Sequence, residues 1–244
     1  MRALLPIPAD SVDVHERYAA HWLDTGGIRA NMVCGVDGAA AADGRSAGLQ
    51  TPGDNRVFHA QRDLADVILV GSATAETEGY GPAEPDLAVR TRWGLRPQLP
   101  IAVITRSLRV DTAGPLFVDN RPLVVTCASS DPARRAELGE RADVLVCGGD
   151  DIDYGAARRA LAERGLTRVL CEGGPTILSR LLVTGELDEL CLSLTPRATG
   201  PGEARIVVGA PWPDGPRALT LTSLLEEDGA LFLRYSTAHA APVE

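Results

Sequence analysis

The sequence has no lysine, few aromatic residues and no long apolar run. All 24 basic side chains of the 244-residue chain are arginines, against 33 acidic ones, which gives a formal net charge of −9. A chain this acidic is not expected to bind nucleic acid or an anionic membrane. No apolar run reaches the roughly 18 residues of a membrane span, and the N-terminal apolar patch is too short for a signal peptide. We therefore predict a cytoplasmic protein with neither nucleic-acid nor membrane partners.

Cysteine and histidine are also scarce, and their spacing fits no metal site. The cysteines are odd in number, widely spaced and mostly placed in apolar runs, which indicates free buried thiols; they are Cys34, Cys127, Cys147, Cys171 and Cys191. The zinc-deaminase pattern of HxE followed by PCxxC is absent, and no Ser-His-Asp set has supporting spacing. We predict no metal, and chemistry that comes from a bound organic cofactor.

The most informative stretch is residues 167–183, TRVLCEGGPTILSRLLV. A short β-branched run predicts a buried strand, two glycines predict a tight turn, and Pro175 suits the first position of a helix. Free N–H groups and the positive end of the helix dipole would face whatever lies above the turn. The stretch is consistent with a phosphate cradle and equally with an ordinary strand-to-helix loop. It is neither a GxGxxG fingerprint nor a P-loop.

Strand-like and helix-like segments alternate along the rest of the chain. Strands are predicted at residues 28–36, 67–70, 101–105, 123–127, 144–147, 167–171 and 187–195, with closing antiparallel strands at 206–208, 219–225 and 231–235. Helices are predicted at residues 10–23, 54–64, 132–141, 154–164 and from Pro175 onwards, with frayed residues at 239–244. The alternation predicts a single α/β domain with a mainly parallel central sheet, helices on both faces and antiparallel C-terminal strands.

Ligands of such sheets bind outside the carboxyl ends of the strands. Four of these ends contain glycine and the other contains an arginine; they are 37–38, 71–74, 106–107, 148–149 and 172–176. Converging glycines with one arginine favour a large phosphorylated ligand.

Taken together, several motifs resemble the reductase domain of riboflavin biosynthesis, the C-terminal half of bifunctional deaminase/reductases. They are Val36-Asp37-Gly38, the segment 62–74 ending in Val70-Gly71-Ser72-Ala73-Thr74, Glu172-Gly173-Gly174-Pro175-Thr176, and Leu187-Asp188-Glu189-Leu190. The resemblance implies a dihydrofolate-reductase-like fold, a reductase domain over residues 28–238 after an N-terminal extension of residues 1–27, and a homodimer. The deaminase half has no counterpart in the sequence before residue 28.

The resemblance also implies NADPH as the cofactor. The start of the helix after Gly174 would hold the pyrophosphate, and Glu78 stands where the family commonly has an aspartate that contacts NADP. Arg106 would lie next to the adenosine ribose, where its guanidinium suits a 2′-phosphate. The predicted cofactor-binding residues are Val33, Gly71, Thr74, Glu78, Arg106, Gly173, Gly174, Pro175, Thr176 and Ile177.

On the substrate side, the resemblance implies that Arg62 binds a phosphate and that Glu172 contacts the substrate. Ser46 lies beside the position of a substrate-binding serine, and Asp37 would lie near the nicotinamide; Asp37 and Glu172 are the predicted catalytic pair. A second substrate arginine has no match in residues 79–92, and the usual Ser-Leu-Asp-Gly is here Gly35-Val36-Asp37-Gly38. The predicted activity is NADPH-dependent reduction of a pyrimidine ribosyl phosphate. A dihydrofolate-reductase-type pterin reductase and a non-catalytic NADPH-binding regulatory protein remain the alternatives.

Overall fold

The computed structural model describes residues 1–237, and these contain one ten-stranded sheet. Its strands are β1 (Arg2–Leu5), β2 (Gly27–Gly35), β3 (Val67–Gly71), β4 (Ile101–Ile104), β5 (Leu123–Thr126), β6 (Asp143–Val146), β7 (Arg168–Cys171), β8 (Glu189–Thr195), β9 (Thr220–Glu227) and β10 (Ala230–Ser236). Their order across the sheet is β1-β9-β10-β8-β2-β7-β3-β4-β5-β6. The pairs from β8–β2 to β5–β6 are parallel, whereas β8–β10, β10–β9 and β9–β1 are antiparallel. The predicted α/β class with antiparallel C-terminal strands is confirmed.

Helices cover both faces of this sheet, as predicted. They are α1 (Val14–Ala19), α2 (Trp22–Thr25), α3 (Pro52–Leu64), α4 (Ser72–Glu78), α5 (Leu87–Arg92), α6 (Pro132–Gly139), α7 (Tyr154–Ala162) and α8 (Pro175–Thr184). One apolar cluster lies on the face that carries α1 and α3, and a second on the face that carries α7 and α8. The strands between them, such as β3 and β4, are buried along their whole length, which accounts for their unbroken apolar runs.

Local signals explain where the two helices nearest the site begin and end. The side chain of Thr51 accepts a hydrogen bond from the N–H of Asp54 at 3.1 Å and caps α3, which starts at a proline. Helix α8 also starts at a proline, follows Gly174, and ends at Gly185 in the left-handed region with φ 73°.

Three local predictions differ from the structure. Residues 206–208 form no strand, because Ile206 and Val207 pack onto the second apolar cluster from an irregular segment. The helix predicted over residues 10–23 is broken into α1 and α2 at His21, which has φ 69°. The extension before residue 28 supplies an unpredicted strand, β1, which pairs with β9. The domain boundary at residue 28 stays a prediction, and the predicted fraying of residues 239–244 lies outside the described residues.

Two further sequence predictions concern thiols and membranes. All five cysteines are free and buried, as predicted. Within residues 1–237, no helix combines the length and the apolar character that a bilayer crossing requires.

Candidate active site

The candidate site is built where two strand-to-helix turns meet, after the neighbouring parallel strands β3 and β7. The N–H of Gly71 donates to the carbonyl of Gly173 at 2.9 Å, which joins the two turns. Gly173 has φ 88°, a conformation that favours glycine. A Cβ added to Gly174 would lie 2.5 Å from the Oγ1 of Thr74, so any side chain there would collide with that hydroxyl. The two turns therefore present bare backbone to the space above them.

Helix α8 begins at this junction without a side-chain cap. Gly174 precedes its first residue, and within residues 1–237 no side chain caps the N–H groups of the first turn. The N–H of Ile177 is used within the chain, since it donates to the carbonyl of Gly174 at 2.9 Å. The positive end of the helix dipole is directed towards the junction, which suits an anion.

A cavity of about 300 Å³ opens beside the two turns. Seven of the predicted site residues line it: Val33, Ser46, Thr74, Glu78, Glu172, Gly174 and Pro175. The side chain of Glu78 reaches across to accept a hydrogen bond from the N–H of Ser46 at 2.9 Å. The structure thus brings residues from four separate segments of the predicted site to one cavity. Within residues 1–237, no group of three or more His, Cys, Asp or Glu side chains is arranged to hold a metal ion.

Glu172 in the cavity wall is held by two neighbours. Arg62 donates from Nε and Nη2 to the two carboxylate oxygens of Glu172, each at 2.7 Å. The hydroxyl of Tyr80 donates to Oε2 of the same carboxylate at 2.5 Å. The Glu172 side chain is only 3% exposed and that of Arg62 is 20% exposed, so water screens this ion pair weakly.

The environment of these three residues shifts two of their pKa values. Burial and the negative charge of Glu172 raise the pKa of Tyr80 well above its usual value, so its hydroxyl stays a donor at any physiological pH. Burial alone would lower the pKa of Arg62, but the carboxylate of Glu172 outweighs that effect and raises it. The arrangement fixes a charged arginine against a charged glutamate, with two of the five N–H groups of the guanidinium already used.

Other predicted site residues do not line the cavity. Asp37 is turned to the 197–200 segment, where it accepts hydrogen bonds from the N–H groups of Thr199 at 2.7 Å and Gly200 at 2.9 Å. These backbone donors, that of Gly200 foremost, lower the pKa of Asp37. Arg106 is exposed after β4, Thr176 is exposed on α8, and Ile177 packs in the core. Gly71 and Gly173 form the junction itself, and Arg62 does not line the cavity but pairs with Glu172 in its wall.

The structure adds wall residues that the sequence motifs did not identify. Asp54 and Phe58 on α3 and Asn31 on β2 line the cavity. Asp54, Phe58 and Arg62 are spaced i, i+4, i+8, so they form one stripe along α3. This helical spacing is the sequence signal from which Asp54 and Phe58 could have been assigned to the same face as Arg62. The guanidinium of Arg62 lies 4.2 Å from the centre of the Phe58 ring, which orders that stripe.

Asp54 differs from Glu172 in the same wall because it has no cationic partner among residues 1–237. Its side chain is buried, with 3% of the residue exposed, and none of residues 1–237 forms an ion pair with it. Burial raises the pKa of Asp54, and the hydroxyl of Ser193 opposes this only in part. An acid of this kind is costly to bury, and such groups occur preferentially at functional sites.

Residues 27–228 match the family described as the RibD C-terminal domain. The chain belongs to this family. A relative from Methanothermobacter thermautotrophicus, named 2,5-diamino-6-ribosylamino-4(3H)-pyrimidinone 5′-phosphate reductase, is 29% identical over 180 residues, covering 73% of this chain and 81% of its own. The riboflavin biosynthesis protein RibD of Mycobacterium tuberculosis is 32% identical over 146 residues, 59% of this chain and 40% of its own.

Solved structures of related proteins share the fold. A pyrimidine reductase-like protein from Corynebacterium diphtheriae superposes with a TM-score of 0.80 at 24% identity, over 92% of this chain and 98% of the other. The riboflavin biosynthesis reductase of Saccharomyces cerevisiae gives a TM-score of 0.63 at 14% identity, over 93% and 92%. The dihydrofolate-reductase-like fold of the RibD C-terminal domains is therefore present here, as the resemblance implied.

Proposed function

We propose that this protein is an NADPH-dependent oxidoreductase that reduces a pyrimidine ribosyl phosphate of the riboflavin-pathway type. The observation that carries the proposal is the bare turn at Gly174, which opens with the uncapped start of α8 onto the cavity that Glu172 lines. Membership of the RibD C-terminal domain family supports it, because relatives in two archaea and one bacterium are named pyrimidinone phosphate reductases.

The residues present fit a dinucleotide cofactor. A pyrophosphate needs backbone N–H groups and room to approach them. A side chain at position 174 would collide with Thr74, so this position is occupied by glycine. The backbone of the turn is therefore open to the pyrophosphate. Thr74 adds a hydroxyl at the same place, and Val33 supplies an apolar wall for a flat ring. When bound, NADPH would supply the hydride.

The proposed reaction converts a ribosylamino group into a ribitylamino group. The contribution of this chain is to orient the reactants and to exclude water from the cavity. Glu172 is fixed by Arg62 and Tyr80 and can use its remaining acceptor capacity on the substrate. Arg62 lies outside the cavity wall, but it keeps N–H groups that Glu172 does not occupy and its side chain is 20% exposed, so these groups would bind a substrate phosphate that extends beyond the cavity.

The substrate assignment is tested by oxidation of NADPH, followed in solution. The native protein is mixed with a ribosylamino-pyrimidinone phosphate, with its dephosphorylated form, or with a dihydropterin. We expect turnover of the first compound, with a sharp rise in KM when the phosphate is removed. Reduction of a dihydropterin alone would establish the pterin reductase instead, and tight NADPH binding without any turnover would favour the regulatory protein.

The cofactor assignment is tested by replacing Arg106. If its exposed guanidinium pairs with the 2′-phosphate, the native protein should bind NADPH more tightly than NADH, as measured by fluorescence titration. Arg106→Ala should remove most of that preference, on the order of 1.5–3 kcal/mol for a charge-assisted hydrogen bond. Arg109→Ala is the matched control, because Arg109 is also exposed but lies further along the chain from the carboxyl end of β4 than Arg106 does. Equal affinities of the native protein for the two cofactors would contradict the assignment.

A homodimer and a cytoplasmic location complete the proposal. Both come from the resemblance and from the composition of the chain. Light scattering at micromolar concentration tests the first: a mass near that of one 25.7 kDa chain would exclude the dimer.

A further inference from the structure

The proposed reaction consumes a proton, and the cavity wall contains the side chains that could supply it. Converting a ribosylamino into a ribitylamino group adds one hydride and one proton, because the ring oxygen O4′ leaves C1′ and becomes a hydroxyl. An alkoxide is a poor leaving group at neutral pH, so an acid beside O4′ accelerates such a step, typically by about 10²–10⁴-fold. Within residues 1–237, the titratable side chains of the wall are Asp54, Glu78, Tyr80 and Glu172.

Three of these four side chains are committed to other contacts. Both carboxylate oxygens of Glu172 accept hydrogen bonds from Arg62 at 2.7 Å, so a charged arginine holds this group as an acceptor. The hydroxyl of Tyr80 donates to Glu172 at 2.5 Å, and it keeps its proton because burial raises the pKa of Tyr80 well above its usual value. Oε1 of Glu78 accepts a hydrogen bond from the N–H of Ser46 at 2.9 Å.

Asp54 is the remaining titratable side chain of the wall. It lies on the first turn of α3, is 3% exposed, and has the hydroxyl of Ser193 on β8 as its side-chain partner. Burial raises the pKa of Asp54, and the hydrogen bond from Ser193 lowers it only in part. A general acid works best when its pKa approaches the pH at which the enzyme operates, and burial moves an aspartate in that direction.

The charged groups around Asp54 do not alter this balance. The titratable and charged side chains on the elements that surround it are Glu172 and Tyr80 across the cavity, Glu78 on α4, Arg62 on the same helix, Cys191 on β8, and the pair of Arg56 with Glu227 next to Gly53. None of these groups contributes to the pKa shift of Asp54, which comes from burial and from Ser193. Burial and one neutral hydroxyl therefore control the proton on Asp54.

We propose that Asp54 is the catalytic acid of the reaction and gives its proton to O4′ of the ribose as the C1′–O4′ bond breaks. The electron pair of that bond goes to the oxygen, which becomes a hydroxyl, and the lone pair of the amino nitrogen forms a C1′=N bond. The hydride that NADPH would supply then adds to C1′, and the C1′=N pair returns to the nitrogen. Water afterwards returns a proton to Asp54. The inference rests on the proposed function, because it concerns the proton which that reaction consumes.

The charge left on Asp54 has a use in the same step. Once Asp54 has lost its proton, its side-chain partner within residues 1–237 is Ser193, which carries no charge. The open-chain iminium cation formed from the substrate supplies the opposite charge. Their attraction in a cavity wall is stronger than it would be in water. The same carboxyl group would therefore first release the leaving oxygen and then stabilise the cation that accepts the hydride.

The test follows the chemical step against pH. Oxidation of NADPH in a single turnover is measured with a ribosylamino-pyrimidinone phosphate over a wide pH range. The native rate should fall about tenfold per pH unit once the pH exceeds the pKa of Asp54, because only the protonated acid donates. Asp54→Asn keeps the shape of the side chain but has no acidic proton. It should be about 10²–10⁴-fold slower below that pH, show no such fall, and bind NADPH with the native affinity in a fluorescence titration.

Ser193 is a positioning residue in this scheme and provides a second variant. Ser193→Ala removes the hydrogen bond that lowers the pKa of Asp54, so the fall in rate should move to higher pH. A merely structural role of Ser193 would lower the rate at every pH and leave the position of the fall unchanged. This variant and the native profile decide the proposal if Asp54→Asn does not fold.

A matched control and a direct measurement complete the experiment. Asp24 is exposed on α2 and lies outside the cavity wall, so Asp24→Asn should keep the native rate and the native pH profile. Carbon-13 NMR of labelled aspartate carboxyl groups reports protonation without any turnover. One signal should titrate above the ordinary aspartate pKa of about 3.9. That signal should be absent from Asp54→Asn and present in Asp24→Asn.

The results distinguish this proposal from the proposed function. If the native protein reduces the ribosylamino compound and Asp54→Asn does so equally fast, the role of Asp54 is wrong and the proposed function stands. An Asp54 carboxyl group that titrates at or below the ordinary pKa would also overturn the role. If the native protein binds NADPH but does not reduce the ribosylamino compound, the proposed function is wrong, and the assignment of Asp54 as its acid fails with it.

Discussion

Two acids of one cavity wall have opposite surroundings. Glu172 has a carboxylate that accepts two hydrogen bonds from Arg62 at 2.7 Å and one from Tyr80 at 2.5 Å. Asp54 is equally hidden from water, and among residues 1–237 it has no charged partner. The first acid is stabilised by an arginine and a tyrosine, whereas the second has only the hydroxyl of Ser193 to oppose the effect of its burial.

The difference indicates that the two acids have different roles in the site. A carboxylate with three strong donors is held in one orientation and contributes little new binding energy, because most of its acceptor capacity is used. A carboxylate such as Asp54, whose donor within the chain is the hydroxyl of Ser193, keeps acceptor capacity for a ligand. Substitutions in the two groups should therefore change stability in opposite directions.

The largest effect is expected when Glu172 loses its arginine. Arg62→Ala removes two hydrogen bonds and leaves the negative charge of Glu172 buried. The loss in the free energy of unfolding should be about 3–5 kcal/mol, as for other buried pairs that lose one partner. Chemical denaturation at neutral pH measures it. Adding Glu172→Gln to this variant should recover part of the loss, because the unpaired charge is then gone.

A surface arginine provides the control for this substitution. Arg92 pairs with Glu16 at 2.5 Å, but both side chains are more than half exposed. Arg92→Ala should change stability by no more than about 0.5 kcal/mol. A loss at Arg62 as small as the loss at Arg92 would show that Glu172 does not depend on its arginine, and the contrast with Asp54 would disappear.

A smaller loss is expected from the third member of the group. Tyr80→Phe removes one donor to the Glu172 carboxylate and keeps the ring, so the cost should be about 1.5–3 kcal/mol. Tyr235→Phe on β10 is a suitable control, because the hydroxyl of Tyr235 has no hydrogen bond within residues 1–237. Equal midpoints of thermal unfolding for the two variants would mean that the hydroxyl of Tyr80 adds nothing to the group.

Most of the architecture could be predicted because each element carries its own local signal. Unbroken apolar runs located β3 and β4, and Pro175 located the start of α8. Residues 206–208 misled the prediction because an apolar run also suits an irregular segment that packs onto the core. Strand β1 was missed because its partner, β9, is more than 200 residues away, and pairing at that distance leaves no local signal.

The site was predictable where glycines and motifs occur together. Gly174, Thr74 and Glu172 come to one cavity because each follows a strand of the parallel sheet. The pairing of Arg62 with Glu172 joins positions 110 residues apart, and no motif states it. Asp54 was missed for another reason. An acid on the first turn of a helix is ordinarily a dipole-stabilising surface residue, and only its burial shows that it faces a cavity.

The smallest effect is expected at Asp54 itself, and it is a gain. Because burial raises the pKa of Asp54 above that of an unfolded chain, the ionised form destabilises the fold at neutral pH. Asp54→Asn removes this charge and should raise the free energy of unfolding by about 0.5–2 kcal/mol. The folded state binds the proton more tightly, so the gain should shrink as the pH falls towards the ordinary aspartate pKa of about 3.9. Thermal unfolding between pH 7 and 5 follows this trend, with Asp43→Asn as the control that removes an exposed acid outside the cavity wall. A loss of stability at neutral pH on Asp54→Asn would mean that the protein already supplies Asp54 with its donors, and the two acids would then be alike.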